Sequence, residues 1–321
     1  MIRWLAGRLA QALVTLALVT IITFFLMRLA PGDPMAPVGD RQMSEREVLA
    51  LRAIYGLDQP LYRQFTAYVS GLLHGDLGTS FSQRRPVATV VAERLPATLL
   101  LGGCVLFINF TLGVWLGARQ AVRRGSRFDH LASTLSLSGY AMPSFWLGML
   151  LIWLFAIHFK VLPASGMRDL FAAELPPARR ALDLLRHLVL PVTTLSLVTL
   201  AITMRHQRSA MLEVLRLDYV RTARAKGLPE RVVLRRHAWR NAIFPTVTLL
   251  GLWLPVIATG AVFVEAVFSW PGLGSLAQDA IGNRDYPLLM GTSMLTSTAV
   301  VIGGLLADLG YLLLDPRLHR R

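Results

Sequence analysis

The sequence predicts an all-α polytopic membrane protein with six transmembrane helices and both termini on the inner side of the membrane. The chain is 54% hydrophobic and only 16% charged, with a mean hydropathy of +0.51, whereas soluble domains carry about 25% charged residues. Six segments approach the roughly 20 mostly apolar residues that cross about 30 Å of hydrocarbon. Lysine and arginine are concentrated between alternate segments, which indicates the orientation.

The apolar segments define one transmembrane domain over residues 1–321, with a first span at 9–29, an extracytoplasmic insertion at 30–96 and a core of five spans over 97–315. The first apolar run exceeds the about 7–15 residues of a signal-peptide core, so we expect a retained helix. Pro143 and Pro255 lie inside predicted spans, where neighbouring helices of a bundle tolerate proline. The predicted spans are Leu9–Met27, Ala97–Ala118, Leu131–Ile157, Leu188–Met204, Ala242–Val264 and Leu288–Leu306, the last continuing toward Leu314.

The distribution of charge predicts an N-in, C-in topology. The inner segments 1–8, 119–130, 205–240 and the tail after Leu314 hold 19 of the 33 Lys and Arg residues. The longer outer segments hold the other 14, together with 13 of the 19 acidic residues. This excess of inner basic residues is the signature of cytoplasmic loops.

Two shorter patterns lie on the predicted outer side. Residues 44–57, "SEREVLALRAIYGL", predict an amphipathic helix with Ser44 as its N-cap, Glu47 completing a capping box and Gly56 ending it. The loop "EAVFSWPGLG" before the sixth span is too apolar for a plain solvent loop. Phe268 and Trp270 suggest either a partly buried turn or an interfacial aromatic anchor.

The residue types needed for several chemistries are not in place. The only lysines, Lys160 and Lys226, do not follow the glycine loop of an ATP-binding P-loop. The seven histidines show no metal-ligand spacing, so we expect no metal, no cofactor and no catalysis in this chain. Asp308 is the one acid within a predicted span and is expected to reach water or pair with an inner arginine. Asn109 is expected to form an interhelical hydrogen bond.

A basic island, "DYVRTARAKGLPERVVLRRHAWRNAIFP", covers residues 218–245 and holds seven Lys or Arg against two acids. Positive-inside topology accounts for most of that charge. Its small residues would let another surface approach closely; these are Thr222, Ala223 and Ala225. Gly227 suits a left-handed turn that ends a helix, and Pro229 suits the first turn of the next. The island therefore predicts a helix, a glycine turn and a second helix that continues into span five.

The motifs together resemble a known family. In chain order they are "PGDP", "GLDQPL", "GDLGTS", "RRPV", "RLPATLLL", "AMPSFWLG", "LPASG", "DYVRTARAKGL", "EAVFSWPGLG" and "LLDPR". They resemble the permease subunits of binding-protein-dependent ABC importers, in particular the first of the two permeases in the dipeptide/oligopeptide/nickel group. The island resembles that family's cytoplasmic coupling loop, here over 205–245. It departs from the general pattern because Arg221 stands at an acidic position and Pro245 falls several residues late.

The resemblance implies a type I ABC importer permease fold in the bacterial inner membrane, with Leu131–Ile157 and the later spans lining the pathway. It implies a second homologous permease, an extracytoplasmic substrate-binding protein and two ATPase subunits that carry ATP and Mg²⁺. Contacts to the binding protein or at a gate are expected from Glu265, Phe268, Trp270, Pro271 and Gly272. The loop expected to sit in a groove of the ATPase comprises Arg221, Thr222, Ala223, Arg224, Ala225, Lys226, Gly227 and Pro229.

Several alternatives stay open at this point. Di- and oligopeptides lead as substrates, with nickel chelates, glutathione or another small solute behind them. An ion-coupled secondary transporter would need intramembrane charges, which are scarce here. A membrane-anchored nucleic-acid or scaffold protein would use the island as a basic patch, but we expect no nucleic-acid partner.

Overall fold

The structure is a computed structural model that describes residues 2–29, 45–246, 253 and 262–314. Within those ranges the secondary structure is helical apart from an isolated bridge between Thr79 and Pro86. In chain order the helices are α1 (Ile2–Leu29), α2 (Glu45–Ile54), α3 (Leu61–Leu73), α4 (Val87–Ile108), α5 (Val114–Val122), α6 (Arg127–Ala141), α7 (Ser144–Leu151), α8 (Pro177–Val214), α9 (Asp218–Ala225), α10 (Glu230–Val232), α11 (Arg240–Ala242), α12 (Val262–Val267), α13 (Leu273–Gly282) and α14 (Tyr286–Leu314).

π-Helical stretches join or extend several of these helices. Asn109–Gly113 joins α4 to α5, Ile152–His158 extends α7, and Val233–Trp239 joins α10 to α11. A 3₁₀ turn covers Ala172–Glu174. The chain thus continues without a break from α4 through α5, and again through residues 230–242.

Among the described residues, four helices are long and apolar enough to cross a membrane, namely Ala6–Leu29, Val87–Val122, Pro177–Val214 and Tyr286–Leu306. They contain the first, second, fourth and most of the sixth predicted spans. The fourth predicted span lies within the 38-residue helix α8, which continues beyond it at both ends. An all-helical architecture is therefore confirmed for the part of the chain that is described.

The third predicted span is not one straight helix. Where the sequence predicts Leu131–Ile157, the structure has the pair Arg127–Ala141 and Ser144–His158, bent by 105°. Met142 is extended at φ −80° and ψ 134°, the conformation that a following proline favours. Pro143 therefore ends one helix and precedes the next, rather than being tolerated inside a single span.

Other predictions lie partly or wholly outside the described residues. The fifth predicted span, Ala242–Val264, has only its two ends and residue 253 within them. Ser44 and the "PGDP" turn at 31–34 also lie outside. The predicted helix after Ser44 is present as α2, and Gly56 ends it at φ +61°. The amide of Leu57 donates to the carbonyl of Arg52 at 2.8 Å, closing the glycine turn.

Close helix packing holds the bundle together. α5 lies against α8, and a Cβ added at Gly117 would stand 2.4 Å from the carbonyl oxygen of Met204. Only glycine permits that approach, which is a common device between membrane helices. Nearby, Asn109 donates to the hydroxyl of Thr199 at 2.8 Å, confirming the predicted interhelical bond.

The ends of the helices come together in two groups. At one end, the first and last helices are joined by an ion pair between Arg8 and Asp308, confirming the predicted arginine partner for this acid. At the opposite end of the spans, Val87 at the start of α4 packs with Leu276 and Leu288. The loop before the last helix lies in this second group, since Trp270 packs on Ala97 and neighbouring core residues.

Candidate functional site

The basic island forms a helical elbow, a name we use for residues 218–242. Its first helix is α9, and Gly227 follows in the left-handed region at φ +76°. The Gly227 amide donates to the carbonyl of Arg224 at 2.9 Å. The structure thus confirms the predicted helix and glycine turn. Pro229 lies one position earlier than predicted, at the N-cap of α10, with φ −54° and ψ 137°.

The elbow is anchored to the bundle through a buried cluster, which we call the elbow cluster. Val220 and Ala223 supply the face of α9 that enters it, and both are almost fully buried. The second limb of the elbow supplies Val233, Ala238 and Ala242. The bundle supplies residues of α5 and α8, namely Ala121, Met211 and Val214.

The burial of Ala223 corrects one prediction. The sequence placed it among the small residues that an ATPase would contact, but its side chain is only 5% exposed. It packs inward against its own chain, because small size suits a tight core contact as well as an external one. Thr222 and Ala225 do lie on the exposed face of α9. The other nominated residues are exposed as well, and they are Arg221, Arg224, Lys226, Gly227 and Pro229.

An ion pair that the sequence analysis missed spans the glycine turn. Arg224 donates from Nε and Nη2 to the two carboxylate oxygens of Glu230, at 3.1 and 2.7 Å. This hydrogen bonding lowers the pKa of Glu230 below its usual range. Two parallel bonds fix orientation as well as distance. The pair therefore holds the two limbs of the elbow at a set angle on its exposed side.

Arg221 faces the start of its own helix. Its guanidinium lies 3.5 Å from the carboxylate of Asp218, and both side chains are well exposed. Elsewhere on the elbow, Asn241 donates to the hydroxyl of Tyr219 at 2.7 Å, which ties the far end of the second limb to α9. The exposed surface of the elbow is therefore mostly basic, with its acids already paired to its own arginines.

The second candidate group, in "EAVFSWPGLG", lies inside the protein. Glu265 is fully buried, and its carboxylate accepts hydrogen bonds from the Thr98 hydroxyl at 2.9 Å and from the Ser275 amide at 3.0 Å. The Leu273 amide donates to Thr98 Oγ1 at 2.7 Å. Glu265 and Thr98 together cap the N-terminus of α13, a position that favours negative charge.

Gly272 makes room for this buried carboxylate. A Cβ added there would lie 2.4 Å from the carboxylate carbon and oxygen of Glu265. Trp270 is also fully buried, with its indole nitrogen donating to the carbonyl of Ala97 at 2.9 Å. Phe268 is buried and Pro271 half-buried. Of the two interpretations of this loop, the partly buried turn is the one found.

This burial changes what the outer residues can do. In this conformation the side chains of Glu265, Phe268 and Trp270 face the interior of the chain and are not available to a docking partner. Glu265 and Trp270 instead join this loop to the second span, at Thr98 and Ala97. Phe268 packs with Leu190 of α8 and Val264 of α12. A role at a gate stays a prediction, whereas direct side-chain contact with a binding protein would require the loop to open.

A further buried carboxylate was missed by the sequence analysis. Asp285 accepts hydrogen bonds from the hydroxyls of Ser80 and Ser82, at 2.5 and 2.7 Å, and from the Ser82 amide at 2.9 Å. It also accepts from the Leu288 amide at 3.1 Å, which caps α14. Asp285 and Ser80 lie 205 residues apart in sequence, so no local pattern indicated this contact.

Comparison with known proteins matches two consecutive parts of the chain to the same kind of transport system. Residues 109–320 match the family "binding-protein-dependent transport system inner membrane component". Residues 1–102 match the N-terminal part described for membrane components of such systems. The chain belongs to this family of permeases. It is accordingly a multi-pass inner membrane component of a transport system that depends on a binding protein.

Curated relatives extend this permease likeness over the full length. The dipeptide transport system permease protein DppB of Escherichia coli K12 is 39% identical over 338 residues, covering 100% of both chains. The di/tripeptide transport system permease protein DppB of Pseudomonas aeruginosa is 41% identical over 336 residues, again covering 100% of both. The oligopeptide transport system permease protein AppB of Bacillus subtilis is 37% identical over 302 residues, covering 94% of each. Family membership decides against the nucleic-acid hypothesis.

Proposed function

We propose that this chain is the membrane-spanning permease subunit of an ATP-driven importer of di- and oligopeptides, paired with a second, homologous permease. The observation that carries the proposal is the end-to-end identity with permeases named for dipeptides, di/tripeptides and oligopeptides. Peptides are therefore favoured over nickel chelates and glutathione. The chain needs no ATP site of its own, because two separate ATPase subunits would supply ATP and Mg²⁺.

The proposal includes six spans with both termini in the cytoplasm. The ion pair between Arg8 and Asp308 supports it, because the start of the first helix and the end of the last must then lie on one side. The basic elbow lies at the inner ends of α5 and α8, where positive-inside charge is expected. The outer ends meet around Val87 and Trp270, on the predicted binding-protein side.

The elbow is the proposed site of coupling to the ATPase. Its exposed face, from Arg221 to Pro229, would lie in a groove of that subunit. Its buried face rests on α5 and α8 through the elbow cluster. Tightly packed cores switch between discrete arrangements rather than deforming continuously. Closure of the ATPase pair would thus bias the spans between inward- and outward-facing states.

The bent helix pair is the proposed wall of the pathway. α6 carries exposed hydroxyls at Ser133, Thr134 and Ser138, within a stretch predicted to lie in the membrane. Polar side chains at that depth usually face a bundle interior or a water-filled cavity rather than lipid. The second permease and the later spans would complete the pathway opposite this face.

The outer loop is proposed as a gate element. Glu265 and Trp270 join it to the second span at Thr98 and Ala97. A binding protein docking on the insertion 30–96 would act on this loop through the outer end of α4. The buried network would keep the loop in place until docking releases it.

Reconstitution of the whole transporter tests the proposal. The chain, its paired permease, the two ATPases and the binding protein are placed in liposomes, and accumulation of a labelled dipeptide is followed. We expect accumulation that requires ATP, the binding protein and both permeases. Uptake driven by a proton or sodium gradient without the ATPases would contradict the importer mechanism. Uptake of a nickel chelate or glutathione but of no dipeptide would contradict the substrate class.

A further inference from the structure

A cavity with a mixed polar and apolar lining lies between α6 and α8, toward their proposed cytoplasmic ends. Its volume is about 430 Å³, which is within the roughly 300–1,000 Å³ typical of small-molecule sites. None of the residues of the elbow cluster lines it, and it lies far along α8 from the outer loop. It is therefore separate from the elbow and from the outer loop, and it shares Ser133 with the proposed wall of the pathway.

Hydroxyl groups line the α6 side of this cavity. Ser133, Ser136 and Tyr140 recur at intervals of three and four residues, so they share one face of the helix. Gln120 of α5 closes one end and donates to the Ser133 hydroxyl at 2.9 Å. This wall offers several groups that both donate and accept hydrogen bonds.

The α8 side is cationic, but only one of its two arginines is neutralised within the described chain. Arg208 forms a two-point pair with the buried Asp129, at 3.0 and 2.8 Å. Arg205, one turn away on the same wall, has no carboxylate within ion-pair distance among the residues that the structure describes. The cavity thus keeps one free guanidinium, while the adjacent pair fixes the spacing of α6 and α8.

His206 and four apolar side chains complete the wall. Leu137 comes from α6, and Ala201, Ile202 and Met204 come from α8. A ligand suited to this lining has a negative group for Arg205, amide groups for the hydroxyl row and an apolar part. Arginine is well matched to carboxylates because its planar donors bind both oxygens.

We propose that this cavity binds the C-terminal carboxylate of a short peptide on the cytoplasmic side, as an inner station for peptide that has crossed the membrane. The assignment rests on the proposed function for the identity of the peptide. The carboxylate pairs with Arg205, the peptide amides meet the Ser133 and Ser136 hydroxyls, and a side chain lies on Leu137 and Ile202. Free phosphate is also an oxyanion that could pair with Arg205, and the experiment below distinguishes it from a peptide carboxylate.

Equilibrium binding to the assembled transporter tests the station. The two permeases and two ATPases are held in lipid nanodiscs without nucleotide or binding protein, and labelled alanyl-phenylalanine is the probe. We expect saturable binding that Arg205→Gln weakens by about tenfold or more, since a lost charged bond of this kind is worth at least about 1.4 kcal/mol. The same dipeptide with an amidated C-terminus should compete correspondingly less well.

The matched control is Arg124→Gln, at an exposed arginine on the same proposed side, in the turn between α5 and α6 and outside the cavity. It should bind the dipeptide like the unaltered protein. Equal affinity of Arg205→Gln and unaltered protein would overturn the station. Competition by inorganic phosphate but not by unlabelled dipeptide would also overturn it.

A parallel uptake assay with the binding protein keeps the two proposals distinct. Arg205-dependent dipeptide binding in a transporter that takes up no peptide would contradict the importer and leave the site standing. ATP-driven dipeptide uptake without any Arg205-dependent binding would contradict the station alone.

Discussion

Arg8 and Asp308 form a two-point ion pair 300 residues apart in sequence, with Nη2 3.0 Å from Oδ1 and Nε 3.0 Å from Oδ2. The pair joins the first helix to the last. The two side chains are 40% and 24% exposed, so water screens the pair only in part. An acid inside a predicted span would otherwise be a candidate for a transport relay; here it has a structural partner.

We expect Asp308→Asn to destabilise the protein by about 1 kcal/mol, because hydrogen bonds to charged groups contribute about 1.5–3 kcal/mol when shielded but no more than about 1 kcal/mol when exposed. Melting of the detergent-purified chain, followed by fluorescence, would measure the change. The exchanged pair Arg8→Asp with Asp308→Arg should recover part of the loss. Normal melting combined with abolished transport in Asp308→Asn would instead assign the carboxylate a transport role.

The left-handed turn at Gly227 makes a second prediction. A β-branched residue strains this geometry by about 1–3 kcal/mol, so Gly227→Val should distort the elbow and uncouple ATP hydrolysis from peptide uptake while the protein still inserts. Gly227→Asn should retain more coupling, because asparagine tolerates φ > 0. Uptake and ATPase activity in proteoliposomes provide the two readouts.

Gly125 offers a matched control for that experiment. It has φ +75° in another turn on the proposed inner side, and open space surrounds it as it does Gly227. Gly125→Val should carry a similar backbone penalty but leave coupling intact. If both valine variants uncouple equally, or if Gly227→Val transports normally, the elbow is not the coupling element.

The pair between Arg224 and Glu230 makes a third prediction. Exposed pairs contribute less than about 1 kcal/mol, so Glu230→Gln should hardly change melting but should speed hydrogen exchange over residues 224–232. Because the pKa of Glu230 is lowered in the folded protein, the stabilisation is present above the unfolded pKa of about 4.3. It is lost only as pH falls through the lower, folded pKa, so cytoplasmic pH should leave the pair intact.

Exchange measured by mass spectrometry would check this local effect. Arg221→Gln is a suitable control, since its longer contact with Asp218 lies wholly on α9 and does not cross the glycine turn. Unchanged exchange in Glu230→Gln would show that the turn alone sets the angle of the elbow.

The contact between Gly272 and Glu265 makes a fourth prediction. Gly272→Ala would place a methyl group against the buried carboxylate, and overpacking of this kind costs about 1–3 kcal/mol. We expect lower thermal stability and impaired uptake. Gly282→Ala, near the other end of α13 with no atom within 4 Å of its added Cβ, should be close to neutral. Equal melting temperatures for the two variants would contradict the tight fit at Gly272.

Local signals predicted much of this fold, and contacts between distant segments account for the differences. The length of the apolar runs predicted four of the helices that can span a membrane. The turn at Gly227 was predicted because glycine readily adopts the positive φ that ends a helix. The effect of Pro143 depends on the helices around it, so the same sequence is compatible with a proline inside one span and with the 105° bend that is found. Ala223 was assigned outward because small size does not distinguish a core from an interface.

The buried carboxylates show the same limit more strongly. Glu265 accepts a hydrogen bond from Thr98, 167 residues away in sequence, and Asp285 accepts one from Ser80, 205 residues away. Contacts between segments so far apart leave no periodic pattern in a single sequence. Glu265 therefore looked like a candidate for contact with a partner and Asp285 was missed, whereas burial makes both of them caps for the helices that follow.

The elbow cluster has a mechanical consequence. The eight-residue helix α9 packs through Val220 and Ala223 directly against the inner ends of α5 and α8. A force applied at Gly227 would therefore be transmitted directly to α5 and α8 through the elbow cluster. If the elbow is the coupling element, α5 and α8 would move together with the limb at residues 230–242, so a displacement at one small surface would tilt several helices at once.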